Sequence, residues 1–275
     1  MKKRVILTVI AAVLCGLVPL YFLVQRAAAP TAPANTQTEE QKPPVTQPKN
    51  IILSLPGATP IEARVEDYNN PASNWILVSK DYPLVQPQYK AADLVIITSV
   101  KTRPGKSAEE RSLRAVLVED LNAMFADAAS AGHDFMISSG FRSYTTQASL
   151  YNSYVASSGD AAANTFSAKP GQSEHQTGLS FDIRLSSGAC YLDVCFGNMP
   201  AGQWLAANAP SYGFIIRYPA DKTAVTKYQY EPWHLRYVGR PLAGALKQSG
   251  LTLDEAQPYL QQARSELLEA KLIHE

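Results

Sequence analysis

Only four histidines occur in this 275-residue chain, and two of them stand among polar side chains able to do chemistry. His175 lies in Gly171-Gln-Ser-Glu-His-Gln-Thr-Gly-Leu-Ser-Phe-Asp-Ile, where Gly171 and Gly178 permit backbone turns on either side of it. Beyond Gly178 the residues alternate, which reads as a strand with Leu179, Phe181 and Ile183 on one face and Ser180 and Asp182 on the other. A carboxylate held in such a strand needs a partner, because burying it alone is very costly; a zinc ion or a basic side chain could be that partner. His234 lies in Tyr230-Glu-Pro-Trp-His-Leu-Arg-Tyr, three residues after Glu231, with Pro232 restricting the backbone between them. Two imidazoles and one carboxylate make a three-ligand zinc site whose fourth position is open to water. A further carboxylate beside that water could take its proton and deliver it to a leaving amine. Either fragment alone also reads as a structural histidine beside a hydrogen-bonded carboxylate; the combination favours the metal site. His133 follows Gly132, and His274 is next to the chain end. Neither is assigned a role.

The elements that must position these residues mix without regular alternation. Trp75–Ser79 reads as a strand or extended edge. Ser107 and Glu110 form a capping-box pattern that predicts a helix from near Ser107, with Leu113, Val116, Leu117, Leu121, Met124, Phe125 and Ala128 at helical spacing and Gly132 as its stop. Phe135-Met-Ile reads as a short buried strand, Tyr144 to about Val155 as a helix, Gln203 to Ala209 as another, and Phe214-Ile-Ile-Arg-Tyr as a strand stopped by Pro219. Thr252 and Glu255 form a second capping box, opening a helix that could run to about Lys271. Helices and short strands in this order predict the α+β class rather than a doubly wound sheet.

Hydrophobic residues make up 46% of the chain and charged residues 18%, with a formal net charge of +1, so nothing global steers it toward nucleic acid. Lys2, Lys3 and Arg4 precede an apolar run from Val5 to Val24, long enough to span a bilayer of roughly 30 Å and oriented with the basic end inside. Residues 1–26 are therefore expected to be a single-pass membrane anchor holding the rest outside the cytoplasm; cleavage near Ala27–Ala29 would instead yield a secreted protein. Cys15 falls inside that run and reads as a buried membrane residue. Residues 27–67 form a Pro/Ala/Thr-rich linker and an undecided lead-in, strand or packed linker, from Ile51; residues 68–253 form the main domain and 254–275 a C-terminal helix. Cys190 and Cys195 are expected to close a local disulfide in an oxidising compartment, with free thiols or a soft metal pair as the alternatives. C-x4-C is a poor zinc spacing.

Ser173, His175, Gly178 and Asp182 match the pattern S-x-H-x-x-G-x-A-x-D, and Glu231, Trp233 and His234 match E-x-W-H. Ser138-Ser-Gly-Phe-Arg-Ser-Tyr and Leu235-Arg-Tyr-Val-Gly extend the likeness from about Trp75 to Leu253. The chain thus resembles the VanY-type D-alanyl-D-alanine carboxypeptidases, zinc peptidases of the bacterial cell wall, together with the related L,D-carboxypeptidases. Ser180 stands where the family usually has Ala, a small exchange that adds a hydroxyl. The resemblance implies a small central antiparallel sheet flanked by helices, the fold shared by zinc D,D-peptidases and the hedgehog signalling domain. It implies zinc (Zn2+) on His175, Asp182 and His234, Glu231 as catalytic base, and Arg142 as the arginine that meets a substrate carboxylate or oxyanion. Gln147, Ser173 and Trp233 resemble residues of the substrate pocket. Their plainer readings are a helix-surface amide, a turn residue and a core aromatic, and for Arg142 a salt bridge at a helix end. The implied reaction removes the C-terminal D-alanine from peptidoglycan stem peptides by a monomeric enzyme. L,D-carboxypeptidase action on tetrapeptide stems is the alternative, and a non-catalytic wall-binding module is the rival from another class.

Overall fold

The computed structural model describes residues 51–63 and 68–270. The proposed anchor, most of the linker, Cys15 and His274 lie outside the described residues. Described residues begin with a short antiparallel hairpin, β1 (Ile52–Leu53) and β2 (Ile61–Glu62). A second hairpin pairs β3 (Leu94–Ile96) with β4 (Ser112–Arg114), and then α1 runs over Val118–Ser130. Next come β5 (Phe135–Ser139), α2 (Tyr144–Ser158), α3 (Asp160–Phe166), β6 (Ser180–Leu185) and α4 (Pro200–Asn208). The chain closes with β7 (Phe214–Tyr218), the single turn α5 (Thr223–Thr226), β8 (Glu231–Tyr237), α6 (Arg240–Ser249) and α7 (Gln257–Glu269). Strands β5, β6, β8 and β7 form, in that order, one antiparallel sheet, so the chain is α+β with a small sheet among helices.

The alternation that marked β6 as a strand also sets its faces. Phe181 and Ile183 enter a core that α1 lines with Leu121, Met124 and Ala128 and α4 with Ala201 and Leu205. Asp182 points the other way. On that face the β6–β8 register sets Asp182 directly opposite His234. Two register shifts flank the pair: one in β5 brings Ser139 opposite Asp182, and one between β7 and β8, with the extra residues on β8, brings Tyr218 opposite Glu231. Bulges of this kind re-aim side chains where a sheet carries a site.

Several sequence expectations need correcting. The Ser107–Glu110 box does form, the Ser107 amide donating to Glu110 Oε2 (3.1 Å) and the Glu110 amide to Ser107 Oγ (3.2 Å). It closes a turn, because Leu113 is drawn into β4 by pairing with Val95, and the α-helix waits until Val118. Thr252 and Glu255 likewise cap a turn, and α7 begins at Gln257. Trp75–Ser79 is buried but is not a paired strand; the Trp75 indole donates to the Val238 carbonyl (3.1 Å). The lead-in from Ile51, left undecided between strand and packed linker, is both: β1 and β2 pair, and the hairpin packs on the domain. Ile51, Leu53, Leu55 and Ala63 join Leu242 and Leu246 of α6 and Leu260, Ala263 and Leu267 of α7 in a second apolar cluster. Burying each large aliphatic side chain there is worth roughly 1.5–3 kcal/mol, which ties the hairpin to the C-terminal helices.

Candidate active site

His175 stands on a buried helical turn, Glu174–Thr177, that leads into β6. Gly178 ends the turn at φ +70°, and a Cβ there would lie 2.6 Å from Leu94 Cδ2, so glycine alone fits. His175 Nδ1 lies 2.7 Å from the Gly140 carbonyl and donates to it, which leaves Nε2 as the free lone pair. Gly140 can make that approach because it has no side chain: a Cβ would sit 2.7 Å from the Ser112 carbonyl.

Three groups converge. His175 Nε2 is 3.5 Å from Asp182 Oδ2, and His234 Nδ1 is 3.5 Å from Asp182 Oδ1. The ligand-capable atoms of all three lie within 4.8 Å of one another, and each residue is buried. A tetrahedral zinc ion with N and O ligands at about 2.0–2.2 Å sets its ligand atoms about 3.3–3.6 Å apart, so the donor set fits. Burial alone would raise Asp182, but His175 and His234 hold it far below the usual carboxylate range. Burial lowers His175, with Arg142 adding to the effect. His234 is raised, the hydrogen bond and charge of Asp182 outweighing its burial.

Glu231 opens β8 with Oε2 3.5 Å from His234 Nδ1. Burial pushes its carboxyl up to about 7, against the pull of His234 and with help from Asp182. A carboxyl poised there can both accept and return a proton near neutrality. Arg142 faces the same cavity from the loop before α2, its NH1 donating to Gln147 Oε1 (2.8 Å) and its NH2 to Ser139 Oγ (3.1 Å). No ion pair ties it down among the described residues, in contrast to the salt-bridge reading.

The cavity measures about 220 Å³, and Ser173, His175, Asp182, Glu231, Trp233 and His234 all line it. Trp233 also belongs to the main core, so both of its readings apply. Gln147 does not line the cavity. Its amide donates to the Ala168 carbonyl (2.7 Å) and its oxygen takes Arg142, so it stands behind the arginine and holds it. Cys190 and Cys195 are joined in a disulfide.

Sequence reasoning missed a buried charge cluster directly behind the histidines. Glu174 Oε1 accepts from Arg217 Nε (2.8 Å) and Arg236 NH1 (2.7 Å), while Oε2 accepts from Ser180 Oγ (3.1 Å) and lies 3.9 Å from His234 Nε2. His234 Nε2 is buried with no hydrogen-bond partner among the described residues, and this carboxylate is the acid it faces. The hydroxyl of Ser180, the departure from the family pattern, therefore has a specific acceptor. The available signal was an arginine in each of two apolar strands, Phe214-Ile-Ile-Arg-Tyr and His234-Leu-Arg-Tyr, which burial could only tolerate with a shared acid.

With this geometry in view, four likenesses are informative. The sequence profile VanY, described as D-alanyl-D-alanine carboxypeptidase, matches residues 110–240. YodJ of Bacillus subtilis (strain 168) is 37% identical over 232 residues, 84% of each chain. Among solved structures, the LdcB LD-carboxypeptidase is 40% identical with a TM-score of 0.65, over 69% of this chain and 88% of that one. The vancomycin resistance D,D-pentapeptidase VanY, in complex with Zn(II), is 30% identical with a TM-score of 0.55, over 67% of this chain and 98% of that one.

Proposed function

Since the chain belongs to the VanY family of D-alanyl-D-alanine carboxypeptidases and is a hydrolase of that kind, we propose that it is a zinc enzyme removing the C-terminal D-alanine from peptidoglycan stem peptides. The observation that carries the reading is the trio His175, Asp182 and His234 at ligand spacing with Glu231 beside it. His175 Nε2, His234 Nδ1 and the Asp182 carboxylate would hold the ion. When bound, zinc supplies Lewis acidity that polarises the scissile carbonyl and lowers the pKa of the attacking water. Glu231 takes the proton of that water and later returns it to the amine of the departing D-alanine. Arg142, held by Gln147 and Ser139, meets the negative oxygen that develops on the scissile carbonyl. Its permanent charge suits that task. Ser173 and Trp233 shape the pocket wall.

A second reading, L,D-carboxypeptidase action on tetrapeptide stems, is favoured by the likeness to LdcB. A wall-binding module without turnover is disfavoured, because Glu231 accompanies the complete ligand trio. The proposal extends to a single-copy enzyme tethered by its N-terminal segment with the catalytic domain outside; the disulfide supports an oxidising compartment.

Defined pentapeptide and tetrapeptide stems, incubated with the protein and read by mass spectrometry, provide the test. D-alanine should leave the pentapeptide, cease to leave after chelation and leave again when zinc is restored. Preference for the tetrapeptide selects the second reading, and release from neither overturns both. Glu231→Gln should keep its metal and lose on the order of 100-fold or more in kcat; near-normal turnover removes Glu231 from the mechanism.

A further inference from the structure

One wall of the cavity is out of keeping with the rest. Leu192 lines it while 45% exposed, on the segment closed by the Cys190–Cys195 disulfide. Cys190 (φ +50°) and Leu192 (φ +51°) are both left-handed, two of only three such non-glycine residues among those described. A leucine in that region costs of order 1 kcal/mol or more and persists only where its surroundings impose it.

The surroundings are a clamp. Tyr191, between the two, accepts at its hydroxyl from Arg103 NH1 (2.7 Å) and Ser138 Oγ (3.0 Å). The guanidinium groups of Arg184 and Arg103 lie over its ring at 4.7 and 5.1 Å. Asp193 caps the far side, accepting from the Cys195 amide (2.8 Å). The loop is thus pinned by an aromatic anchor and a covalent crosslink on either side of one solvent-facing leucine, which joins Leu150, Tyr154 and Phe166 among the apolar residues of the cavity lining.

We propose that Leu192 is a specificity-determining residue: the disulfide loop holds its side chain at the cavity so that it packs on the aliphatic surface of the stem-peptide residues beside the scissile bond. This rests on the carboxypeptidase reading above. Strain is retained at this position because the contact aids substrate binding, and folding does not require it. Leu192→Gly relieves the left-handed backbone and removes the contact together.

The test pairs steady-state kinetics on stem peptides with thermal denaturation and zinc content for wild type, Leu192→Gly, Cys190→Ser/Cys195→Ser and the triple variant. Leu192→Gly should raise KM on the order of tenfold, leave kcat within about twofold, and keep both zinc content and melting temperature. The double cysteine variant should raise KM in the same sense, and the triple variant should be no worse than Leu192→Gly, because the crosslink acts through the leucine. An unchanged KM in Leu192→Gly overturns the inference, as does a raised KM that comes with a lowered melting temperature or lost zinc. Additive losses in the triple variant overturn the part assigned to the disulfide. A wild type that cleaves no stem peptide overturns the functional reading and this inference with it, whereas an active wild type beside an unaffected variant overturns this inference alone.

Discussion

Arg142 depends on a neighbour that never reaches the cavity. Gln147 is buried, and its two ends bind Arg142 and the Ala168 carbonyl, so the amide fixes where the guanidinium points. Misplacing a charge that must meet a developing oxyanion is costly even when the charge remains. Gln147→Ala should therefore lower kcat/KM by about 10- to 100-fold while zinc affinity, measured by chelator competition, stays as in wild type. Wild-type kcat/KM would remove the positioning role. The family resemblance implied a pocket role for Gln147, with a helix-surface amide as the plainer alternative; α2 begins at Tyr144 and turns position 147 inward, behind Arg142. By contrast, the chemistry open to His175, Asp182, Glu231 and His234 was legible from side-chain type, while the division into ligands and base came from the family resemblance.

Among the elements, the Glu174–Thr177 turn, β7 and β8 are joined behind the histidines by Glu174 bridging Arg217 and Arg236, and Arg217 reaches on to Asp254 in the turn before α7. Burial opposes ionisation of Glu174, yet the two arginines hold its carboxyl down at about 2 from a usual 4.5. A group with a depressed folded value binds its proton more readily in the unfolded chain. Its contribution, about 3 kcal/mol, is thus fully present above about pH 4.5 and is lost as pH falls toward about 2. Glu174→Gln should destabilise the fold by about 3–5 kcal/mol at neutral pH, because Arg236 loses its anionic partner. It should also flatten the decline of stability between about pH 4.5 and 2, as read by urea denaturation; an unchanged slope would show that other carboxylates carry it. Of the strands in this sheet, β6 was foreseeable from period-2 alternation and β5 and β7 from short apolar runs, whereas β8, interrupted by Pro232, was not read as a strand. The charge cluster was not foreseeable, because it is assembled from three segments whose local patterns do not mention one another.

For the molecule as a whole, the N-terminal hairpin and the C-terminal helices share one apolar cluster, so the described residues are closed at both ends onto the sheet domain. Among the described residues no helix is long and apolar enough to cross a membrane, and the proposed anchor precedes them. If residues 1–26 tether the enzyme with its catalytic domain outside, protease treatment of intact cells should release or degrade that domain while a cytoplasmic marker survives. Protection of the domain until cells are lysed would reject the outward placement. The undecided segment from Ile51 could not be resolved from its own residues, because two-residue strands have no independent stability and take their form from α6 and α7.

What this sequence determined unaided is local: which side chains can ligate, donate or accept, the alternation of β6, the glycines that let His175 turn inward, and the pairing open to Cys190 and Cys195. Tertiary structure alone decided that Asp182 meets His234 across a register, that Glu174 stands behind them, and that Leu192 faces the cavity. Periodicity reports only on neighbours along the chain. Register and backing are set by contacts between distant segments, where a slip of one residue would turn every side chain of a strand to its other face.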